Sequence, residues 1–238
     1  MTSISKIALA CAALVAASGA FAQKAGDNIG SIGLAYISPQ TDVGPLTNTG
    51  GLTSFLSGAS AKVSSETTVS FGLLHMFTDN VGAEFTIGVP PTMTQDLSAP
   101  NVGGLGLATN SPAAAKMDIW TPTVVGKYFF GTAQDKWRPY AGLGVSRVSF
   151  HNVKISSDPT PQALAGTSAS FSSSWVPVYN AGVIYNIDDK WSINGSVSYL
   201  PIKTDVTFIG KGPGAGTTTT NTITLNTTDY VIRLGYRF

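Results

Sequence analysis

Apolar residues recur at every second position through most of the chain. In the closing stretch DYVIRLGYRF they are Tyr230, Ile232, Leu234, Tyr236 and Phe238, with Asp229, Val231, Arg233, Gly235 and Arg237 between them. A period of two is the signature of a strand whose two faces meet different surroundings. The same alternation places Val81, Ala83, Phe85, Ile87 and Val89 on one face of a segment whose other face holds Gly82, Glu84, Thr86 and Gly88. It returns through Ile32, Leu34 and Tyr36, through Val69, Phe71 and Leu73, through Trp120, Val124 and Tyr128, through Trp175, Tyr179 and Val183, and through Trp191, Ile193 and Val197. With the stretch WRPYAGLGVSRVSF this makes about eight strands.

The connections between them alternate in length. Segments 78–80, 132–136 and 188–190 are tight and polar, whereas 39–61, 91–115, 152–173 and 204–222 are long and rich in Gly, Pro, Ser, Thr and Asn. No internal repeat or domain boundary interrupts the series. The pattern predicts an all-β fold, an eight-stranded antiparallel up-and-down barrel with short turns at one end and long loops at the other.

Alternation alone leaves open which face points outward. Composition decides it. Charged residues make up only 11% of the chain, against about 25% in an ordinary soluble domain, and the non-apolar faces carry mostly Gly, Ser, Thr and Asn. A water-facing exterior holds more charge than that. Aromatic residues also stand at both ends of the strands, in the pairs Trp120 and Tyr128, Tyr140 and Phe150, Trp175 and Tyr185, and Trp191 and Tyr199. At the tilt of a barrel strand, about 40°, such spacings span roughly the 25 Å apolar band between two aromatic girdles. The apolar face is therefore expected to meet lipid, with short periplasmic turns, long extracellular loops and a polar lumen. Past residue 22 no apolar run is long enough for a spanning helix, so a closed barrel is the way left to satisfy the backbone in lipid.

One strand breaks the pattern. Ala141, Leu143 and Val145 share a parity, while Val148 and Phe150 take the other. Either a bulge lies near Ser146–Arg147, or the strand has already left the lipid there.

The amino-terminal stretch fits export. Residues 1–22 carry one charge, Lys6, then an apolar run and Ala20-Phe21-Ala22, the form of a signal peptide cleaved before Gln23. The expected mature chain, 23–238, is a single barrel domain. It loses the only cysteine, Cys11, and balances 13 basic against 13 acidic residues, which gives no basic stripe for nucleic acid.

An eight-stranded bore is narrow. Its expected lining includes Glu84, Lys127, Asp229, Arg233 and Arg237, with Leu74 and Val231 as candidates for an apolar constriction. The charges form either a salt-bridged plug or a lining that steers solute. Leu52, Phe55, Leu56, Leu105 and Leu107 are candidates for an apolar patch at the external mouth, where such a patch marks a binding surface unless the loops pack on one another. Pro90, Pro91 and Pro122 lack backbone donors and weaken pairing where the third and fourth strands meet their loop. A sideways exit into the membrane would open there.

The segment TPTVVGKYFFGTAQDKWRPYAGLGVSRVSF resembles the OmpW family of small outer-membrane barrels, as do TDNVGAEF (78–85), DDKWSINGSVSYLPI (188–202) and the closing GYRF. The resemblance implies a bacterial outer-membrane barrel with a narrow, partly apolar lumen that passes small hydrophobic compounds inward. A relative assists alkane uptake, and other members act as colicin or phage receptors, which leaves a structural or adhesive barrel with a sealed lumen as the alternative. The implied partners are outer-membrane lipids, small hydrophobic solutes, and the barrel assembly machinery, which would read the C-terminal strand ending in Phe238.

Little points to chemistry. His75 and His151 fall at opposite ends of the expected barrel, too far apart to share a metal. No nucleophile elbow or phosphate loop is present, and no spacing links His151 with Asp158 and the loop serines. No enzyme activity, metal or cofactor is expected.

Overall fold

In the computed structural model, residues 23–43, 47–48, 60–102, 107–157, 168–209 and 218–238 are described. The expected signal peptide lies outside them. Thirteen strands follow in order: β1 (Asn28–Val43), β2 (Thr47–Asn48), β3 (Ser60–Val63), β4 (Glu66–Met76), β5 (Val81–Gly88), β6 (Thr92–Val102), β7 (Leu107–Trp120), β8 (Thr123–Phe129), β9 (Trp137–Ile155), β10 (Ser168–Phe171), β11 (Ser174–Asn186), β12 (Trp191–Ile209) and β13 (Thr218–Arg237). Eight of these close a barrel. β1 pairs with β4, then the ladder runs through β5, β8, β9, β11 and β12 to β13, which returns to β1, every pair antiparallel. Closure pairs each barrel strand on both sides, except for an unpaired interval above Thr86 and Thr123, between β5 and β8. No helix among the described residues is long and apolar enough to cross a membrane; the crossing is made by strands.

The circuit has a measurable stagger. From Ile37 the paired row runs to Asp229, Ser198, Asn180, Gly142, Lys127, Gly82 and Met76. Met76 donates its N–H to Asp27 O at 2.9 Å, so one turn shifts the register from residue 37 to residue 27, ten residues. Eight strands with such a shear leave a bore that side chains fill.

The apolar parity faces outward. Ile232 is 59% exposed and Phe85 44%, and Leu34, Ile193 and Val197 lie on the same outer surface. These exposures are those of side chains whose solvent is lipid. The periplasmic turns are held by side chains that satisfy backbone groups. Asp188 Oδ1 accepts from the N–H of Lys190 at 2.8 Å and of Trp191 at 2.7 Å, and these two bonds hold its carboxyl below the ordinary carboxylate range. Asn80 Nδ2 donates to the carbonyls of Phe129 and Gly131.

Three expectations need correction. Tyr140 belongs to no girdle: it is 2% exposed and points into the bore, because its own strand alternates with Ala141 and Leu143 outside. Phe150 is likewise turned inward, packed on Phe171 with ring centroids 4.9 Å apart. The segments expected as long loops are partly strand. β6 and β7 form a hairpin above the barrel, and β12 pairs with β13 out to Ile209 opposite Thr218. Their Thr-rich sequences suit the pleated surface, and pairing satisfies backbone groups that a bare loop would leave to water.

The parity break resolves without a bulge at Ser146–Arg147. The β9–β11 register runs unbroken from Tyr185 opposite Trp137 to Ser174 opposite Val148. Val148 is inward and fully buried, while Arg147 stays outside, its guanidinium 5.5 Å from the Trp175 ring centroid. The strand passes through the outer interface, and the apolar side chains beyond it face the interior. The irregularity in β9 comes later, at the shift opposite Lys116–Asp118 where Asn152 has φ 51°.

Candidate functional site: the layered lumen

Inward side chains stack in layers along the bore. At the periplasmic end, the segment before β1 folds into the opening. Gly26 N–H donates to Met76 O at 2.7 Å, and Arg138, with 0% of its surface exposed, donates to Gln23 O at 2.7 Å and Asp79 O at 2.6 Å. Arg237 pairs with Asp27 at 3.1 Å and donates to Asp189 O. Above this lies an apolar layer of Ile29, Leu74, Met76, Phe129, Tyr140 and Ile184.

The next layer is ionic. Glu84 on β5 accepts from Lys127 Nζ of β8 at 2.6 Å and from Arg233 Nη1 of β13 at 3.1 Å. Arg233 also donates through Nε to Ser70 Oγ at 3.1 Å, and Lys127 stands 4.3 Å from the Tyr140 ring centroid. Tyr140 Oη in turn donates to Asn194 Oδ1 at 2.9 Å. All three charged groups are buried. Burying an ion costs several kcal/mol, which is offset only where geometry is good and remaining hydrogen-bonding sites are filled; here the carboxylate is met by cations from two strands. Together the ionic and apolar layers fill the periplasmic half of the bore.

Space appears above them. A cavity of about 70 Å³ is floored by Glu84 and Arg233 and bounded by Asn180, Ser198, Val231 and Asp229 on one side and by Gly88, Val89, Pro91, Thr121 and Thr123 on the other. Still higher, Met93, Met117, Ile119, Val148, Leu200, Ile202 and Leu225 pack with Val125, Val176, Val178 and Val206 into a buried apolar cluster, which leaves a smaller cavity of about 30 Å³. The cavity's second side coincides with a break in the wall. β5 and β8 pair from Val81–Tyr128 up to Thr86–Thr123, and pairing resumes only beyond the prolines, where Ile119 N–H donates to Pro91 O at 3.3 Å and Thr92 faces Asp118. Asp118 is clamped there by Thr92 Oγ1 and Asn152 Nδ2, both at 2.6 Å, bonds that hold its carboxyl below the usual range. Pro90, Pro91 and Pro122 sit in the interval between the two ladders.

The structure thus brings Glu84, Lys127 and Arg233 into one cluster. It places Arg237 apart, at the periplasmic rim, and Asp229 higher on the same strand, facing the cavity. Leu74 and Val231 occupy different layers, the apolar floor and the cavity wall. Leu107 opens β7 opposite Val102. Leu52, Phe55, Leu56 and Leu105 lie outside the described residues, as does Asp158. His75 lies at the lower rim, its Nδ1 2.9 Å from Asn28 Oδ1, and His151 is exposed near Ser149. Arg138, Tyr140 and Asn180 were missed from sequence. Parity counted back from Ala141 would have placed Arg138 and Tyr140 inside.

The profile of the OmpW family matches residues 24–238. The chain is 28% identical over 230 residues to outer membrane protein W of Vibrio cholerae serotype O1, covering 97% of each. It is 26% identical to outer membrane protein AlkL of Ectopseudomonas oleovorans, over 76% of this chain and 71% of that one. Among solved structures, it resembles outer membrane protein OprG of Pseudomonas aeruginosa with a TM-score of 0.77 and 26% identity, covering 91% of this chain and 98% of that one. The structure of AlkL in lipid bilayers shares the fold, with a TM-score of 0.66 at 23% identity and 94% coverage of each chain. With its closed eight-stranded barrel, outward apolar face and family match across nearly its whole length, this chain is a member of the OmpW family of bacterial outer-membrane proteins.

Proposed function

We propose that the barrel takes small hydrophobic molecules from its external end and releases them sideways, through the break between β5 and β8, toward the membrane. One observation carries this reading: the cavity above the ionic layer is bounded by that break, while the bore below it is filled. A solute that has passed the apolar cluster into the cavity meets buried charge on the axial route and a gap in the backbone ladder on the lateral one. Desolvating a hydrocarbon costs little on the second path, whereas displacing paired charges costs several kcal/mol on the first. This agrees with the hydrophobic uptake that the family resemblance implies. The filled lower bore also supports the alternative of a sealed barrel whose loops serve as a receptor for colicin or phage.

Uptake of radiolabelled dodecane by a deletion strain separates the two. Cells expressing the wild type are expected to accumulate dodecane faster than cells with an empty vector. Val231→Trp, which fills the cavity, is expected to lower that gain about tenfold, and Leu74→Ala, which loosens only the floor, to leave it unchanged. A wild type no better than vector would overturn the conduit. A rise with Leu74→Ala would redirect it along the axis.

The partner at assembly is part of the same proposal. Phe238 follows β13 with its N–H donating to Asn28 O at 3.0 Å and its side chain exposed, which supports a ring that the assembly machinery reads.

A further inference from the structure

One wall of the cavity carries acceptors that none of the described residues engages. Asp229 on β13 faces Ser198 on β12, and Ser198 faces Asn180 on β11, three inward residues in one paired row. Adjacent strands lie about 4.8 Å apart, so these side chains form a continuous polar strip. Asn180 Nδ2 donates to Ser198 Oγ at 2.9 Å and to Val197 O at 3.2 Å, which uses its donor side and aims its carbonyl elsewhere. Asn180 Oδ1 is buried without a hydrogen-bond partner among the described residues, and so is Asp229 Oδ1. The two described lumen cations near this level, Lys127 and Arg233, are both engaged by Glu84. A buried polar atom without a partner destabilises the fold, a charged one most of all, so two on one strip mark either a strain the fold tolerates or a place that a guest completes.

The surroundings favour a guest. Asp229 lines both the 70 Å³ cavity and the smaller apolar one above it, beside Ile37, Leu200 and Leu225. It stands where the polar part of the lumen meets the apolar cluster. A water needs about 10–15 Å³ of such a cavity, so the lower one holds several waters, room for an amino or hydroxyl head and the first methylenes behind it. Opposite the strip lies the break in the wall, which would accept a chain. A molecule with a donor head at the strip and an alkyl tail toward the break would satisfy both.

We propose that the Asp229–Ser198–Asn180 strip is a head-group site that selects amphiphiles whose heads donate hydrogen bonds, a straight-chain primary alkylamine above all. This deepens the conduit reading and rests on it for the route by which the ligand arrives. Pure hydrocarbon gains nothing from the strip, an alcohol donates once, and an ammonium donates three times and adds its charge to the carboxylate. A carboxylate head offers no donor and meets Asp229 with like charge.

The test uses the refolded full-length chain in lipid nanodiscs, with decylamine, decanol, decane and decanoate added at matched concentration in the bilayer. Binding is read from the NMR shifts of the Asn180 side-chain amide and the Asp229 backbone amide. Decylamine is expected to bind at least tenfold more tightly than decanoate, with decanol between them. Asp229→Leu is expected to bring decylamine down to the level of decane. Asp229→Asn, which keeps shape and hydrogen bonding, is expected to retain decanol binding while losing the preference for the amine, and it serves as the working variant should the leucine substitution fail to fold. Equal shifts with decylamine and decanoate in the wild type, or an unchanged preference in Asp229→Asn, would overturn the site. Dodecane uptake has no head group to report, so its loss counts against the conduit alone, and loss of head-group preference counts against this strip alone.

Discussion

Glu84 carries the ionic order of the lumen. Its carboxylate is the shared partner of Lys127 and Arg233, which come from strands far apart in sequence. Replacing it with glutamine keeps the volume but leaves two buried cations facing a neutral amide. Removing one partner of a buried ion pair costs roughly 3–5 kcal/mol, so Glu84→Gln is expected to lower stability by about 3 kcal/mol or more, read as a shift of the urea midpoint in reconstituted protein. A midpoint equal to wild type would mean that the cations find other partners and that the cluster is not what orders the bore. The three residue types and their inward parity were legible in the sequence. Their meeting was not, because a triad drawn from β5, β8 and β13 depends on the stagger of the closed barrel, which no local pattern records.

At the scale of the strands, the seam between β1 and β13 makes the barrel a barrel, and its tightness falls on one glycine. A Cβ built on Gly33 would lie 1.9 Å from Ile232 O and 2.6 Å from Arg233 Cα. Both are backbone atoms that cannot swing aside, so Gly33→Ala is expected to hinder closure. The readout is the heat-modifiable mobility of folded barrels on a denaturing gel, with the folded band of Gly33→Ala falling below half its wild-type share. Gly195→Ala, where an added Cβ meets nothing within 4 Å, is expected to fold as wild type does. The alternation of strands was readable because lipid and lumen impose opposite demands on successive residues. Their length was not. The Thr-rich stretches of β12 and β13 look like loop by composition and become strand because each supplies the other's hydrogen bonds. Tyr140 was misread for a related reason: aromatic identity suggested a girdle, whereas its position relative to Ala141 and Leu143 turned it inward, to Lys127 and Asn194.

On the scale of the whole molecule, closure joins the first barrel strand to the last. Phe238 donates to Asn28 O, and Arg237 N–H donates to Lys190 O at 2.8 Å, so the last residues seal both sides of β13. Deleting Phe238 removes one terminal bond and one exposed ring. The purified variant is expected to refold in detergent nearly as well as wild type, while its level in the outer membrane of cells falls several-fold. Equal surface levels, measured by blotting of membrane fractions, would show that the terminal aromatic is not needed for assembly.

The sequence by itself determined the fold class, the orientation of its faces and its place in the outer membrane. A two-residue period, few charges and paired aromatics are local consequences of spanning lipid as strands, and each strand carries them independently. Only the tertiary structure decided what the lumen is. The ten-residue stagger sets which inward residues meet, packing paired charge and apolar side chains across the bore on its periplasmic side, leaving Asp229 and Asn180 with acceptors that no described residue engages, and setting a cavity against the proline-bounded gap between β5 and β8. Glu84 lies 43 positions from Lys127 and 149 from Arg233, and closure of the barrel is what brings them within reach.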